Sequence, residues 1–433
     1  MAEIRPIRPW RYNPALITEL DMVTSPLFDV VSERQRQNLY QHPYNSIHLS
    51  VPQGPQPADR AAEKLAEWKK SGVLAQDKLP AIYVYYQYFK LPGSSQELCR
   101  KGFVCHIRVH DWKDDVILRH ENTIPKAVND RLELLEKTNL QVSPTHGLYT
   151  DTRFELEPYM DEAIRFPLYE TEDYQGVRDV LAVIQDVHVI NRFMEVLRPK
   201  PVILADGHHR YESSLHVMHK RKAANPGDTG QEGYHFHLMY LTNTEAGDLR
   251  ILPTHRLITG LDLSDELQIM KALAEDFIIK PVDDPHSLPE VISGKKWAFG
   301  ILFRDSAYKV QLREVAFDTM PWKFPEEVKR LDLTVMHYFI IEKVFGIAGK
   351  DQRQSEHIDF DRSFSDCLAR VLRQEAQLAI ITQDVSIEDV KAVCHSGSTM
   401  PQKSTYFYPK VICGFLFTSI LEEEFRNPEY SPF

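Results

Sequence analysis

The sequence has few cysteines, no long hydrophobic run and no excess of basic residues. Its five cysteines among 433 residues are scattered and form no CxxC pair, which argues against a disulfide scaffold or a thiolate zinc site. The formal net charge of -11 argues against a general binder of nucleic acid or membrane surfaces. The apolar run at 411–417 is far shorter than the roughly 20 residues that span a bilayer. We therefore expect a protein of the reducing cytoplasm.

The composition is otherwise that of an ordinary globular protein, with 43% apolar and 26% charged residues. At roughly 150 residues per domain, the length predicts two or three domains. We place the boundaries near residues 150 and 260. They separate an N-terminal mixed α/β domain at 1–150, a central domain at 151–260 and a C-terminal α/β domain at 261–433.

Hydrophobic patterning predicts an α/β fold of the mixed α+β kind. Strands and helices alternate most regularly in the middle of the chain, which predicts an α/β layer. The clearest segments are strands at 80–89, 102–110, 179–185, 201–205 and 235–243 and helices at 60–72, 129–138, 187–198 and 211–224. In the C-terminal third, Ser386 and Asp389 predict a capping box that opens a short helix.

The most informative motif is PVILADGHHRYESS at 201–214. An apolar strand ends at Asp206, a single glycine follows, and a helix begins at once. Such a junction leaves backbone N–H groups of the first helical turn unpaired, and the helix dipole favours an anion there. Gly207 lets the backbone approach a phosphate closely, and Arg210 can donate two parallel hydrogen bonds to phosphate oxygens. The motif therefore predicts an anion-binding turn.

The other polar residues of this turn leave several roles open. His208 and His209 can donate hydrogen bonds or carry a proton near neutral pH. Asp206 can cap the helix, bind Mg²⁺ or act as a base. The alternative is that Asp206 caps the helix, Arg210 and Glu212 form an ion pair on the surface, and the histidines are structural. We favour a functional role because a charged cluster directly after a core strand is costly to bury.

The same residues carry a resemblance to a known family. DGHHRYE at 206–212 resembles the signature of the family catalogued as domain of unknown function 1015, and the resemblance extends over nearly the whole chain. The further matching motifs are IRP at 4–6, SPLFDV at 25–30, NSIH at 45–48, HENT at 120–123, LPTHR at 252–256 and MPQKSTYFYPK at 400–410.

The turn is also similar to the phosphate-binding turn of the ParB/sulfiredoxin superfamily. In that superfamily a G-x-H-R or G-x-R-R sequence at a helix start holds nucleotide phosphates, and some members are kinases for free serine. The resemblance implies a ParB/sulfiredoxin-like core at 151–260 with flanking mixed α/β regions. It also implies a nucleotide, ATP or ADP, together with Mg²⁺, and it places Tyr211 beside Gly207 and Arg210 among the nucleotide-binding residues.

Residues elsewhere in the chain are candidates for the same chemistry. Glu121 in the HENT motif is a candidate base or Mg²⁺ ligand, and the alternative is a solvated residue at a helix start. Asp29 is a second candidate Mg²⁺ ligand. Five residues of the later motifs are candidate phosphate-binding groups: His255, Arg256, Lys403, Ser404 and Thr405. Lys410, at the end of the same 400–410 motif, could also reach an anion if this loop is buried.

The sequence therefore predicts an enzyme that handles phosphate on a small metabolite, most concretely a nucleotide-dependent kinase of serine or a similar hydroxyl amino acid. The catalytic candidates are Asp206, His208, His209 and Glu121. A phosphatase of a phosphoserine-like ester and a non-catalytic nucleotide-binding regulatory protein remain alternatives. A metal-dependent hydrolase would instead use His208, His209, His235 and His237. We expect a small-molecule substrate and a nucleotide as partners, and neither a membrane nor nucleic acid.

Overall fold

The computed structural model describes residues 1–27, 30–261, 266–401 and 403–426, and these form two compact units. The first unit contains Met1–Leu249 and Pro409–Phe433, and the second contains Arg250–Tyr408. The observed division lies at Arg250, and residue 260 falls inside the second unit. The boundary near residue 150 falls inside the first unit, because strands from both sides of it share one sheet. The C-terminal segment belongs to the first unit, which local composition did not indicate.

The N-terminal segment of the first unit, up to Leu249, contains twelve strands and seven α-helices among the described residues. The strands are β1 (Ile4–Arg5), β2 (Trp10–Tyr12), β3 (Leu74–Gln76), β4 (Ile82–Lys90), β5 (Glu97–Arg108), β6 (Ile117–Arg119), β7 (Leu140–Gln141), β8 (Thr145–Tyr149), β9 (Tyr169–Glu172), β10 (Arg178–Ile184), β11 (Val202–Asp206) and β12 (Phe236–Asn243). The helices are α1 (Glu33–Tyr40), α2 (Ile47–Ser50), α3 (Pro57–Lys70), α4 (Pro125–Thr138), α5 (Glu157–Ala163), α6 (Val187–Leu197) and α7 (His208–Ala224).

A mixed sheet organises this unit. Within the described residues it has nine strands, in the order β6-β11-β8-β12-β5-β4-β10-β9, with β1 added beside β5. The pairs β6–β11 and β8–β12 are parallel, and the other neighbours are antiparallel. The predicted hairpin of 80–89 with 102–110 is confirmed as β4 and β5. The mixed α+β class is likewise confirmed.

The two faces of this sheet bury different cores, because successive strand residues point to opposite sides. Ile82 and Val84 of β4 point to the face on which α6 and α7 pack. Tyr83 and Tyr85 point to the other face, where the apolar segment 411–416 covers them. The apolar run that is too short for a membrane span therefore packs into the core of this unit.

The second unit contains eight strands among its described residues: β13 (Arg250–Leu252), β14 (His255–Ile258), β15 (Phe277–Pro281), β16 (Ala298–Leu302), β17 (Ala307–Leu312), β18 (Ile358–Asp361), β19 (Leu378–Ile381) and β20 (Tyr406–Tyr408). Six of them form one sheet in the order β15-β17-β16-β19-β14-β18, with every neighbouring pair antiparallel, and β13 pairs with β20. Its helices are α8 (Glu266–Asp276), α9 (Leu288–Ile292), α10 (Glu314–Phe317), α11 (Glu326–Lys329), α12 (Asp332–Met336), α13 (Phe364–Leu372) and α14 (Ile387–His395).

The chain then returns to the first unit with β21 (Thr418–Ser419) and α15 (Glu422–Phe425). The capping box of Ser386 and Asp389 at the start of α14 is confirmed. The helix predicted at 129–138 begins earlier, at Pro125, because proline suits the first helical position. Within the described residues, no helix combines the length and apolar character needed to cross a bilayer.

Candidate functional site

The predicted turn forms where β11 ends and α7 begins. Gly207 lies between them with a φ of 89°, a conformation that favours glycine. A Cβ there would lie 2.6 Å from Cγ2 of Thr145 and 2.8 Å from Nη2 of Arg210, so the turn also lacks space for a side chain. Gly207 is the N-cap of α7 and supplies no capping side chain. The N-terminus of this 17-residue helix therefore has no capping side chain, and its positive end suits an anion.

Asp206, the last residue of β11, shares its carboxylate between two cations. Its Oδ1 accepts a hydrogen bond from Nζ of Lys410, and its Oδ2 accepts one from Nη2 of Arg210 at 3.1 Å. Burial by itself raises the pKa of Asp206, but Lys410 and Arg210 outweigh burial and hold the pKa below its ordinary value. Asp206 is therefore ionised at neutral pH, and the bonds of its side chain go to cations rather than to the start of α7.

Arg210 lies inside the first unit, with 9% of its surface exposed. Its Nη1 donates to Oγ of Ser143 at 2.8 Å and to the carbonyl oxygen of Pro144 at 2.7 Å. The alternative of a surface ion pair is therefore wrong, because the guanidinium ties the turn to the segment between β7 and β8. Arg210 also lines a cavity of about 40 Å³, which has room for a few water molecules but not for a nucleotide.

Two histidines pack together at the start of α7. The ring of His208 lies 4.8 Å from the ring of His120, nearly perpendicular to it. Burial lowers the pKa of His120 to about 4 and holds the pKa of His208 well below its ordinary value. Nδ1 of His120 lies 2.9 Å from the carbonyl oxygen of Leu204 and donates to it. Among the described residues, Nε2 of His208 is buried without a hydrogen-bond partner.

Two further histidines flank Asp206 and the turn. His146 on β8 lies directly opposite Asp206, and its Nε2 is 2.7 Å from Oγ1 of Thr242. Burial holds the pKa of His146 well below its ordinary value. The backbone N–H of Ile124 donates to Nε2 of His209 at 3.0 Å, so that nitrogen carries no proton. Near the turn, the positive charge at neutral pH therefore comes from Lys410 and Arg210.

The other residues predicted in the first unit are placed differently. Glu121 is half-buried and follows His120 on the segment between β6 and α4. Tyr211 is fully buried, and its hydroxyl bonds the backbone N–H and carbonyl of His110 at 2.8 and 2.9 Å. Asp29 lies outside the described residues. Their predicted roles in catalysis and binding stay predictions.

The remaining candidates belong to the second unit. Arg256 is fully buried and donates to the carbonyl of Thr254, to Nε2 of His337 at 3.3 Å and to the carbonyl of Lys403 at 3.4 Å. The pairing of β13 with β20 supports this arrangement, since Arg256 follows β13 in the chain and Lys403 precedes β20. The structure thus brings Arg256 and the main chain of Lys403 together within this unit.

The neighbours of Arg256 and Lys403 are also engaged inside the second unit. Nδ1 of His255 accepts the backbone N–H of Thr382 at 3.2 Å, and burial lowers the pKa of His255 to about 4. Ser404 donates its hydroxyl to the carbonyl of Pro401. Thr405 follows directly and has interactions of its own. These residues hold the loop before β20, and their predicted phosphate contacts stay predictions.

The four histidines of the metal-hydrolase alternative do not come together as the ligands of one metal site. Both nitrogens of His237 face hydroxyls, those of Ser214 at 2.7 Å and Thr145 at 3.1 Å. His235 instead groups with Asp228 and Glu232, whose potential ligand atoms all lie within 4.8 Å of one another. The geometry therefore does not support a hydrolase built on His208, His209, His235 and His237.

Sequence reasoning did not predict which residues surround Asp206. Lys410, at the end of the 400–410 motif, was a candidate to reach an anion, but its contact with Asp206 was not foreseen. His120 precedes Glu121 in the HENT motif but was not assigned a role. No local signal marked His146, because only strand pairing brings it opposite Asp206.

Comparison with solved structures finds distant similarity. A free serine kinase in complex with AMP has 12% sequence identity and a TM-score of 0.37, over 75% of this chain and 93% of that chain. A conserved hypothetical protein from Pyrococcus furiosus has 11% identity and a TM-score of 0.36, over 73% and 95% of the two chains. SbnI with a C-terminal truncation, from Staphylococcus aureus, has 14% identity and a TM-score of 0.34, over 72% and 86%.

Comparison of sequences gives a clearer result. No curated protein matches the chain significantly. The family model described as "Protein of unknown function (DUF1015)" matches residues 4–334, which is well over half of the chain. The matched range includes the turn at Gly207 and the HENT and LPTHR motifs. The chain therefore belongs to the DUF1015 family of proteins of unknown function.

Proposed function

We propose that the first unit binds the phosphate groups of a nucleotide at the turn between β11 and α7 and transfers a phosphoryl group to serine or a similar hydroxyl amino acid. One observation carries this proposal. Two cations from distant parts of the chain, Lys410 and Arg210, share a single buried carboxylate at the start of an uncapped helix. Lys410, Arg210 and Asp206, counted by themselves, sum to one positive charge, and they lie beside the positive end of α7. Phosphoryl transfer depends mainly on such positioning and positive charge.

The geometry supports different roles for the residues at the turn. Arg210 is engaged with protein oxygens, so it acts by positioning Asp206 and the turn. Asp206 has too low a pKa to serve as a base at neutral pH, and it holds Lys410 beside the helix start. Lys410 and the first-turn amides of α7 are then the groups that stabilise phosphate charge.

Glu121 is the proposed base. The oxygen of the substrate hydroxyl attacks the terminal phosphorus, and its proton passes to Glu121. The bond between that phosphorus and the bridging oxygen of the nucleotide breaks, and the shortened nucleotide leaves with the bond electrons. Lys410 stabilises the negative charge on the transferring group throughout.

Magnesium would neutralise charge on the nucleotide phosphates, and it prefers carboxylate oxygens as protein ligands. Both oxygens of Asp206 already accept hydrogen bonds from cations, so this carboxylate fits Mg²⁺ poorly. With Glu121 assigned as the base, Asp29 is the remaining candidate ligand from the sequence, and it lies outside the described residues.

The test combines calorimetric titration with ATP and ADP and phosphorus NMR in the presence of serine. We expect nucleotide binding and formation of phosphoserine. Lys410→Met should weaken nucleotide binding at least tenfold, since it removes one of the two cations at the turn. Lys200→Met is the matched control, because Lys200 also pairs with a buried carboxylate, that of Asp151, elsewhere in the same unit. It should leave nucleotide binding unchanged.

Each other outcome contradicts the kinase proposal in a defined way. Nucleotide binding without turnover would make the protein a nucleotide-binding regulator. Hydrolysis of phosphoserine without nucleotide would make it a phosphatase. If the protein does not bind nucleotide, or if Lys410→Met and Lys200→Met change the nucleotide affinity equally, the turn is not the phosphate-binding site. If Lys410→Met fails to fold, Lys410→Arg keeps the charge and should retain part of the nucleotide affinity.

A further inference from the structure

A row of buried polar residues crosses three neighbouring strands of the first unit. Arg100 on β5 lies directly opposite Gln87 on β4, and Gln87 lies directly opposite Asp179 on β10. All three side chains are buried, with 2% or less of each residue exposed. Because paired residues point to the same side of a sheet, the row shares the face that carries Tyr85 and Tyr240.

Gln87 links the two opposite charges and holds them apart. Its Oε1 accepts a hydrogen bond from Nη2 of Arg100, and its Nε2 donates to Oδ1 of Asp179 at 2.7 Å. Neighbouring strands lie about 4.8 Å apart, so two strand spacings separate the backbones at Arg100 and Asp179. The side chain of Gln87 fills the position between the two charged groups and bonds each of them.

The row leaves hydrogen-bonding groups of both charges without a partner among the described residues. These groups are Nε and Nη1 of Arg100, Oδ2 of Asp179 and the hydroxyl of Tyr240. The guanidinium of Arg100 lies over the ring of Tyr240, 5.4 Å from its centroid. A buried polar group costs about 1–3 kcal/mol unless protein, water or a ligand bonds it, so the unpartnered groups of this row can accept a bound polar molecule.

Lys410 connects this row to the proposed phosphate site. Its carbonyl oxygen accepts a hydrogen bond from Nε2 of Gln87 at 3.0 Å, while its Nζ donates to Asp206. The row and the turn are therefore joined by the main chain and side chain of a single residue. A small molecule held at Arg100 and Asp179 would lie within a lysine's length of the group that binds phosphate.

We propose that Arg100 and Asp179 form the binding subsite for an α-amino acid, with the carboxylate on Arg100 and the ammonium group on Asp179. An α-amino acid carries an ammonium and a carboxylate group on one carbon, and the unpartnered Nη1 of Arg100 and Oδ2 of Asp179 lie on either side of Gln87. The hydroxyl of Tyr240 adds a donor for the carboxylate. This inference rests on the proposed function and assigns the recognition of its acceptor substrate.

Calorimetric titration of the full chain with L-serine and two blocked analogues tests the subsite. N-acetyl-L-serine lacks the ammonium group and L-serinamide lacks the carboxylate, so each should bind at least tenfold more weakly than serine. Arg100→Met should abolish measurable serine binding. The matched control is Arg178→Met, because Arg178 is a half-exposed arginine on β10 that pairs with Glu170 and lies over the ring of Tyr88. It should leave the serine affinity unchanged.

The outcomes separate this inference from the proposed function. Equal binding of serine and serinamide, unchanged serine affinity in Arg100→Met, or no serine binding at all would overturn the subsite. Nucleotide binding measured on the same proteins should be independent of Arg100. The two analogues probe the wild-type chain and so need no variant to fold. Arg100→Lys keeps the charge and should bind serine more weakly than wild type but measurably, even if Arg100→Met is unstable.

Discussion

Two buried carboxyl groups on the same sheet, Asp206 at the turn and Asp179 in the polar row, behave in opposite ways. Burial raises the pKa of Asp179 to about 7, and the hydrogen bonds from Tyr85 and Gln87 offset only part of that effect. Burial also acts on Asp206, yet Lys410 and Arg210 hold its pKa below the ordinary value. The difference shows that the charge of the partners, more than burial, decides whether a buried carboxyl stays ionised.

The contrast has a functional consequence. At the turn, Asp206 is ionised at neutral pH because two cations, Lys410 and Arg210, contact its carboxylate. In the row, Asp179 has neutral donors as its close partners and can gain or lose a proton near neutral pH. A ligand cation would supply the missing charge there. An anion is accordingly proposed at the turn, and the ammonium group of a ligand at Asp179.

The largest expected effect comes from removing a cation at the turn. Lys410→Met leaves Asp206 buried with Arg210 as its remaining cationic partner, and we expect a loss of about 3–5 kcal/mol in the free energy of unfolding. Urea unfolding at neutral pH measures it. The double substitution Asp206→Asn with Lys410→Met should recover much of the loss. Lys200→Met, on a longer ion pair of 3.5 Å, should cost about 1 kcal/mol. Equal costs for the two lysines would contradict the contrast.

The next effect concerns Asp179 and pH. The unfolded chain ionises this carboxyl above its ordinary value of 3.8, while the folded chain keeps the proton until the pKa of about 7. The folded state therefore binds more protons between these values, and the stability of the wild type falls as the pH rises from about 4 to about 7. The fall is on the order of 4 kcal/mol for this group. Asp179→Asn should lack it, as unfolding measured across that range would show.

The stability contributed by Asp206 depends on pH in the opposite direction. Its folded-state pKa is depressed, so its stabilising contribution is present above the ordinary carboxyl range and is lost as the pH falls. Asp206→Asn should therefore reduce the loss of stability that accompanies acidification. Asp179→Asn should instead remove the loss of stability that accompanies a rise in pH from about 4 to about 7. If both substitutions changed the same side of the pH profile, the proposed difference between the two carboxyls would be wrong.

A smaller effect is expected at the glycine that shapes the turn. Gly207→Ala places an alanine at a φ that is unfavourable for it and adds a Cβ that collides with Thr145 and Arg210. We expect the free energy of unfolding to fall by about 3 kcal/mol. Gly176→Ala is the matched control, because Gly176 has a φ of 76° and a Cβ added there would meet nothing within 4 Å beyond its chain neighbours. It should cost about 1 kcal/mol, the cost of the backbone conformation alone. Denaturant unfolding of both variants separates crowding from conformation.

The local parts of this contrast could be predicted from sequence. The strand, glycine and helix at 201–214 are consecutive, so hydrophobic periodicity and one glycine were enough to place the turn. The hairpin of β4 and β5 followed from β-branched and aromatic runs in the same way. These features depend on neighbours in the chain, and the confirmed predictions are of this kind.

The partners of the two carboxyls could not be predicted, because they depend on contacts between distant segments. Lys410 reaches Asp206 across 204 residues. The row of Arg100, Gln87 and Asp179 exists only once the register of three strands is known. The burial of Arg210, which excluded the surface ion pair, likewise follows from packing against the segment between β7 and β8.

The smallest expected effect tests the role of the neutral hydrogen-bond donors around Asp179. Tyr85→Phe removes the hydroxyl that donates to Oδ1 of Asp179 at 2.6 Å, which favours the ionised form. We expect the pKa of Asp179 to rise further, with a change in free energy of about 1 kcal/mol. NMR titration of the carboxyl carbon measures it. Tyr83→Phe, on the same strand and face but bonded to Asp77, should leave that pKa unchanged. A fall in the pKa would mean that Tyr85 stabilises the protonated carboxyl, and that neutral donors are no guide to the charge of this row.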